Sequence, residues 1–323
     1  MEGSLKILVT GANGFVGSEL FLHLLSLGHD CVGVARVAKK LTDNVSTVAM
    51  GDIAAPVSWG EQLSEVDCVI HLAGRAHQLG DKAENPELEY ERINNDATMA
   101  LVRQAVAAGV KRFVYASSIG VHGQESGVGA FTEQSPFSPN THYAKSKLKA
   151  EMQIQQYLQN QKMEWVIVRP PLVYSGRAPG NFRLLLKLVS KRLPLPFADV
   201  DNQRSMIALE NLIDFLKFCA EHPDAAGQAF VISDGDDFTI GEIASLLAVG
   251  MGTKNVLFPV PLSILRIGAT LIGRKNTYTQ LYDSLKVDSS KARSLGWHPV
   301  IGGRSALIKA GHDFITHSSK SGV

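Results

Sequence analysis

Leu5-Lys6-Ile7-Leu8-Val9-Thr10-Gly11-Ala12-Asn13-Gly14-Phe15-Val16-Gly17, residues 5–17, is the stretch that decides the fold. Residues 5–9 form a short apolar, branched run, the composition of a buried strand. Gly11, Gly14 and Gly17 follow at three-residue spacing. Behind them Phe15, Val16, Leu20, Leu22, Leu24 and Leu25 recur at helical intervals. Strand, glycine turn and helix together make a phosphate cradle. Glycine lets the backbone turn tightly and come close to a pyrophosphate, and the open N–H groups at the helix start stabilise its charge. A glycine triplet also serves as a plain connector. Its place between a strand and a helix is what points to a dinucleotide site.

The 323 residues are 45% hydrophobic and 20% charged, ample for a full core. Length suggests two lobes. A net charge of +1 gives no bulk attraction to nucleic acid or an anionic membrane. Cys31, Cys68 and Cys219 are far apart and read as small apolar residues in a reducing compartment. The glycine turn follows the first strand at once, with no signal segment before it, so a cytoplasmic protein is expected. Pro261 to Gly273 is apolar but too short to span a bilayer, and it contains Arg266. It reads as a core or interface helix, with a membrane-surface contact as the alternative.

Gly28 ends the first helix, and residues 30–35 make a second strand. Dinucleotide folds often place an acid at the end of this strand, on the adenosine ribose. Here the strand ends Ala35-Arg36, with Lys39 and Lys40 nearby. No carboxylate repels a 2′-phosphate and a guanidinium is placed to pair with one, which favours NADP(H) over NAD(H). A solvated basic loop is the plain alternative. Residues 46–53 read as a third strand, with Asp52 placed to accept from the adenine amino group. Residues 58–66 read as a short helix, and 67–72 as a fourth strand leading into Ala73-Gly74, small residues where a backbone must pass close to a cofactor. His71 inside that strand reads as a packed core histidine.

Long amphipathic helices are expected over 86–108, carrying Asn94 and closed by Gly109, and over 141–161. Strands fall at 111–116, running into Ser117-Ser118, and at 164–168, ending Arg169-Pro170-Pro171. Regular alternation to residue 170 is the pattern of a Rossmann-type α/β fold, a doubly wound parallel sheet. A smaller C-terminal α/β lobe over 171–317 then holds the substrate, and 318–323 reads as a flexible tail. In that lobe helices are expected at 182–191, 209–220 and 240–249, and strands at 204–207 and 228–233.

Tyr143 and Lys147 lie four residues apart on one helix face. A phenol titrates near 10, too high for easy proton transfer at neutral pH. A neighbouring ammonium and the positive charge of an oxidised nicotinamide are expected to pull it down, making Tyr143 a general acid or base. Ser118, at a strand's C-terminal edge, is where a hydroxyl would hold the reacting oxygen.

On these residues the chain resembles the extended short-chain dehydrogenase/reductase family, the NAD-dependent epimerase/dehydratase group that acts on nucleotide sugars. The carrying residues are Thr10 to Gly17, Gly51-Asp52, His71-Leu72-Ala73-Gly74, Asn94 with Thr98, Ser117-Ser118, Tyr143 with Lys147, Arg169-Pro170-Pro171 and Leu295-Gly296-Trp297. They cover nearly the whole chain in the family's order. The resemblance implies catalytic roles for Ser118, Tyr143 and Lys147, with Lys147 also on the nicotinamide ribose. It implies a cofactor site of Gly11, Asn13, Gly14, Phe15, Val16, Gly17, Arg36, Asp52, Ile53, Leu72, Ala73, Gly74, Asn94, Ser117 and Pro170 around them. Within the family the chain is most similar to the UDP-glucose 4-epimerase-like branch of surface-polysaccharide pathways, which includes reductases of UDP-4-keto-6-deoxy sugars. That branch implies Asn181 at the diphosphate, Phe197 near the uracil and Arg204 on a phosphate, for which a guanidinium fork suits. A helix cap, core packing and a surface ion pair are the respective alternatives.

The chain also departs from the family. Ala35 stands where typical epimerases carry an acid, and Leu172 where they carry an asparagine. The position that limits bulk at the sugar C2 falls near Ser284 or Leu285, leaving room for an N-acetyl group. The late diphosphate arginine has no clear counterpart beyond Arg274. Ile119 and Gly120 after Ser118 argue against a dehydratase, which places an acid there. The expectation is an NADPH-dependent UDP-4-keto-sugar reductase. The alternative is a UDP-glucose or UDP-N-acetylglucosamine 4-epimerase with tightly held NAD, and a remote one is a non-catalytic NADP-binding partner protein. The two long helices pair into a homodimer interface in many relatives, so a homodimer is expected.

Overall fold

Strand residues alternate between two buried faces, and that alternation sets the architecture. The computed structural model describes residues 3–76, 84–261 and 282–320. Its strands in chain order are β1 (Lys6–Thr10), β2 (Asp30–Ala35), β3 (Val48–Ala49), β4 (Cys68–His71), β5 (Arg112–Ala116), β6 (Glu164–Arg169), β7 (Leu172–Tyr174), β8 (Arg204–Ala208), β9 (Gln228–Val231) and β10 (Asp237–Phe238). Seven of them form a sheet in the order β3-β2-β1-β4-β5-β6-β9, every pair parallel. The helices are α1 (Phe15–Ser26), α2 (Pro86–Glu91), α3 (Ala97–Ala107), α4 (His142–Leu158), α5 (Gly180–Ser190), α6 (Leu209–Glu221), α7 (Ile240–Gly250), α8 (Ser290–Ser294) and α9 (Gly303–Lys320).

Ile7, Val9, Ile70, Val114 and Val166 point to one side of the sheet and meet α1 and α6 through Leu20, Leu24, Leu212 and Phe215. Leu8, Val69, Phe113 and Ile167 point to the other and meet α3 and α4 through Leu101, Val102, Ala150 and Ile154. Covered on both faces, these strands read as near-continuous apolar runs. The doubly wound Rossmann-type sheet is therefore present as the sequence indicates. Gly28 ends α1 at φ 86°, with its own N–H on Leu25 O at 3.1 Å and the next on Leu24 O at 3.2 Å. Only glycine takes that left-handed cap without strain.

The later chain does not stay in its own lobe. Residues 209–221 cover the large sheet and β9 extends it beside β6. Arg112, 5% exposed at the foot of β5, anchors α6 by donating from Nη1 to the carbonyls of Cys219, Ala220 and His222 at 3.1, 3.2 and 2.8 Å. Its Nη2 meets Glu164 at 2.7 Å. The smaller lobe has a second sheet, β10-β8-β7, over a core of α5, α7 and α9. Residues 284–288 run as a strap between β8 and the loop after Ser118, with bridges Arg204–Leu285 and Phe131–Val287.

Several elements differ from expectation. The third strand is confined to Val48–Ala49, exposed at the sheet edge. No helix forms over 58–66. That segment is a set of turns pinned by Gln104, which accepts from Trp59 N at 2.9 Å and donates to Val57 O at 3.0 Å. The expected helix over 86–108 is present but widens into a π-helical turn at Arg92–Asp96 between α2 and α3. α9 runs to Lys320, into the expected tail, while 321–323 lie outside the described residues. Pro261 aside, the apolar stretch to Gly273 and Arg274 also lie outside them.

Candidate active site

Gly11 stands at φ 69°, and a Cβ there would lie 2.9 Å from Ala73 N. A Cβ on Gly17 would lie 2.2 Å from Gly11 O, and one on Gly14 would lie 3.0 Å from it. The three glycines thus fold the turn against the end of β4 and let α1 begin directly beneath it. No side chain caps the start of α1, which suits an anion. Above the turn opens a cleft of about 360 Å³ at the C-terminal strand ends. Gly11, Asn13 and Gly14 form one wall, Ala35 and Arg36 a second, Asp52 and Ile53 a third, and Leu72, Ala73 and Gly74 the last. Trp59 and Ile93, which the sequence did not single out, also line it. The residues fit a dinucleotide on two counts: a cradle that a Cβ would fill, and the buried Ser117 hydroxyl, which has no hydrogen-bond partner among the described residues.

Some expected contacts are used inside the protein. Asn13 Nδ2 donates to Val37 O at 2.6 Å and its Oδ1 accepts from Thr47 Oγ1 at 2.8 Å, stitching the turn to the 37–47 loop. Asp52 accepts from Ala54 N and from Arg92 Nη1, both at 3.1 Å. The Ala54 amide first, then Arg92 and Arg36, hold its carboxyl below the usual range. Phe15 packs against the small-lobe core and Val16 against the sheet core, so neither side chain walls the cleft.

Ser118 ends the extended segment after β5 and caps the following turn, its Oγ accepting from Gly120 N at 3.1 Å. The same hydroxyl hydrogen-bonds the Tyr143 phenol. Thr141 caps α4 by accepting from Ala144 N at 3.1 Å, which sets Tyr143 and Lys147 in the first turns. Tyr143 packs edge-on to Tyr90 at 6.1 Å. Lys147, 5% exposed, donates from Nζ to Ala116 O at 2.9 Å and lies 4.6 Å over the Tyr115 ring. The expected fall of the phenol does not occur in the protein's own field. Burial, then Tyr90, push Tyr143 up to about 12 against the Ser118 hydrogen bond. Burial brings Lys147 down to about 8. Lys147 is buried and Tyr143 half-buried, and the ammonium is turned to a carbonyl, so desolvation outweighs attraction.

Asn94 is spent internally: Oδ1 accepts from Arg75 N at 2.7 Å, while Nδ2 donates to Arg75 O at 3.1 Å and Ser146 Oγ at 3.0 Å. It supports the loop at Gly74, whose added Cβ would meet Asn94 Oδ1 at 2.9 Å and Lys147 Nζ at 3.5 Å. Pro170 O accepts from Ile119 N at 2.9 Å, fixing the Ser118 turn to the end of β6. Beside it Arg169 meets Glu151 at 2.7 Å, with side chains 3% and 1% exposed, and donates to His122 Nε2 at 3.1 Å. Tyr90, Ser146, Glu151 and His122 were missed in the sequence, and Arg169 was named there only as part of its motif. Tyr90 stands four residues before Asn94, a spacing that would have found it.

In the smaller lobe, Arg204 opens β8 and donates to Asp283 O at 2.9 Å; burial brings it down to about 10. Phe197 is buried in the small-lobe core, edge-on to Tyr282 at 6.1 Å. Asn181 is the second residue of α5 and half-buried. Ser284 Oγ accepts from Gln203 N at 3.0 Å, and Leu285 packs with Ile119 and Phe131 beside the Ser118 turn. Leu172 is exposed. Among the described residues no His, Cys, Asp and Glu cluster is arranged for a metal, and no helix is long and apolar enough to cross a membrane.

A parallel sheet with a glycine turn at its centre, and a Ser–Tyr pair with a buried lysine at its strand ends, define a short-chain dehydrogenase/reductase. The chain belongs to the NAD dependent epimerase/dehydratase family, whose profile matches residues 7–241. It is 36% identical over 298 residues to a UDP-glucose 4-epimerase of Vibrio cholerae, covering 91% of this chain and 90% of that one. MoeE5, solved in complex with UDP-glucose and NAD, superposes with a TM-score of 0.77 at 24% identity, over 98% of this chain and 100% of that one. The UDP-glucuronic acid 4-epimerase of Bacillus cereus, in complex with NAD, does so at 0.76 and 23%, over 97% and 99%. These two structures share the extended fold.

Proposed function

We propose that the protein reduces a ketone at C4 of a UDP-linked hexose, with NADPH as donor, in the synthesis of a surface-polysaccharide sugar in the cytoplasm. The observation that carries the choice is Arg36. It follows β2 on the rim of the cleft, next to Ala35 where an acid would bar a 2′-phosphate. A net reductase must exchange its cofactor with a cellular pool, for which NADPH is the usual donor. A bound nicotinamide supplies the hydride. Tyr143, protonated at neutral pH, gives its proton to the C4 oxygen, and Ser118 holds that oxygen. Lys147 would hold the nicotinamide ribose and support the phenol. Arg204 pairs with a substrate phosphate, and Asn181 and Phe197 complete the nucleotide end.

A second reading, 4-epimerisation with NAD retained, is favoured by the Vibrio cholerae relative, which bears that activity in its name. Denaturing the freshly purified protein and identifying the released cofactor by mass separates the two. Near-stoichiometric NAD overturns the reductase and directs the next assay to UDP-N-acetylglucosamine. An empty site or exchangeable NADP(H) supports it, and NADPH consumption with a UDP-4-keto sugar follows. A merely NADP-binding partner protein requires that Tyr143→Phe change no activity. We also propose a homodimer through α2, α3 and α4, whose outer faces expose Leu88 and Met152; a monomer by light scattering at micromolar concentration refutes it.

A further inference from the structure

We propose that His71 and Thr98 are positioning residues that lock the glycine turn of the cofactor site and the catalytic helix α4 into one unit. The inference rests on the dinucleotide site and is independent of the sugar.

The connection begins at Thr10, beside Gly11. Its hydroxyl accepts from Leu72 N at 3.1 Å and Ala73 N at 3.0 Å, which leaves its own proton for His71 Nδ1 at 2.8 Å. His71 Nδ1 is then the acceptor, so Nε2 carries the hydrogen and gives it to Thr98 Oγ1 at 2.9 Å. Thr98 donates in turn to Asn94 O at 2.9 Å. The Asn94 side chain carries the chain onward to Ser146 Oγ at 3.0 Å, and Ser146 donates to Tyr143 O at 2.8 Å. Each hydroxyl thus donates one hydrogen bond and accepts at least one, and each ring nitrogen has a single role.

Thr10, His71, Asn94 and Thr98 are each 0% exposed, so no water can substitute for a lost link. The imidazole is also fixed in angle, 6.0 Å from Tyr115 and 5.8 Å from Phe113. Tyr115 is the ring under Lys147 Nζ. Burial, then Lys147, push His71 down to about 3, which keeps it neutral and in the single tautomer that the bonds require. The Ala73 amide held by Thr10 is the one that faces Gly11. The spacing of the two backbone strands flanking the diphosphate end is therefore tied to the placement of Tyr143.

The test is binding, with Thr98→Val, which keeps the shape and removes the hydroxyl, and Thr98→Ser, which keeps the hydroxyl. NADH and NADPH are titrated in parallel by nicotinamide fluorescence, and the tighter one is followed. AMP, which ends before the nicotinamide, is titrated by calorimetry. The expected result is a loss on the order of tenfold for the dinucleotide with T98V, AMP within about twofold of wild type, and recovery with T98S. Equal loss of both ligands, unchanged dinucleotide binding, or a T98S protein as weak as T98V overturns the proposal. Ser146→Ala cuts the same chain one link on and is read by the same criteria if T98V does not fold. Which dinucleotide binds tighter tests the proposed reductase separately, whatever the variants do.

Discussion

Acid should unfold this protein in part through one buried ring. His71 titrates at about 3 in the folded protein and near 6.5 when free, with burial the main cause and Lys147 the second. Below pH 6.5 the unfolded chain gains a proton that the folded chain refuses until about pH 3. The stability from the neutral ring is therefore complete above 6.5 and is lost as pH falls towards 3. Linkage gives a loss of about 2 kcal/mol between pH 7 and pH 5, and about 3 kcal/mol by pH 4. Set against the ~5–15 kcal/mol that usually holds a domain folded, this is a large share. The assay is urea unfolding at pH 7, 6, 5 and 4 for the wild type and for His71→Leu. The variant starts less stable because two hydrogen bonds are gone, but its curve should be flatter by that amount. His122, also held below its ordinary value by burial and Arg169, acts in both proteins and cancels in the difference. Parallel curves would refute the reasoning, because a ring that protonates freely cannot be both acceptor from Thr10 and donor to Thr98.

Tyr143→Phe should lower turnover by roughly 10²–10⁴-fold while dinucleotide affinity stays within error, measured by steady-state rates and fluorescence titration. Glu151→Gln leaves the Arg169 cation buried without its partner and should cost about 3–5 kcal/mol in urea unfolding. The double variant with Arg169→Met should cost less than the two single changes added together. Gly17→Ala drives a methyl into Gly11 O, 2.2 Å from the ideal Cβ, and should weaken dinucleotide binding by at least roughly tenfold with the far-UV spectrum unchanged.

How much of this was legible beforehand follows from what each feature depends on. β1, β4, β5 and β6 are covered on both faces, so they had to be apolar runs, and such runs are readable. Glycine turns are readable because nothing else fits Gly11 at its φ and Gly17 at its distance. By contrast β7 and β10 are three and two residues long, too short to carry a period. The expected helix over 58–66 was lost to Gln104, a residue 45 positions away. The pairing of Tyr143 with Lys147 was legible as a shared helix face. That the ammonium turns instead to Ala116 O was not, because a spacing rule gives proximity and says nothing of competing acceptors. Asn13 and Asn94 teach the same point. Both were expected at the cofactor site, yet their amides are consumed by loops the sequence does not place.

The widened turn at Arg92–Asp96 has a consequence for the timing of the helix around its axis. Tyr90 and Thr98 are 4% and 0% exposed, and both face inward, one to Tyr143 and the other to His71. They are eight residues apart, whereas two α-turns hold about 7.2, so an unbroken helix would set them about 80° out of phase. The π turn takes up the surplus residue and brings them back onto one azimuth. It works as a phase adjuster, letting one continuous rod address two targets that an ideal α-helix addresses only singly. Rewinding that turn as regular α-helix with all five residues kept would set the two side chains about 80° apart and force the helix to choose between them.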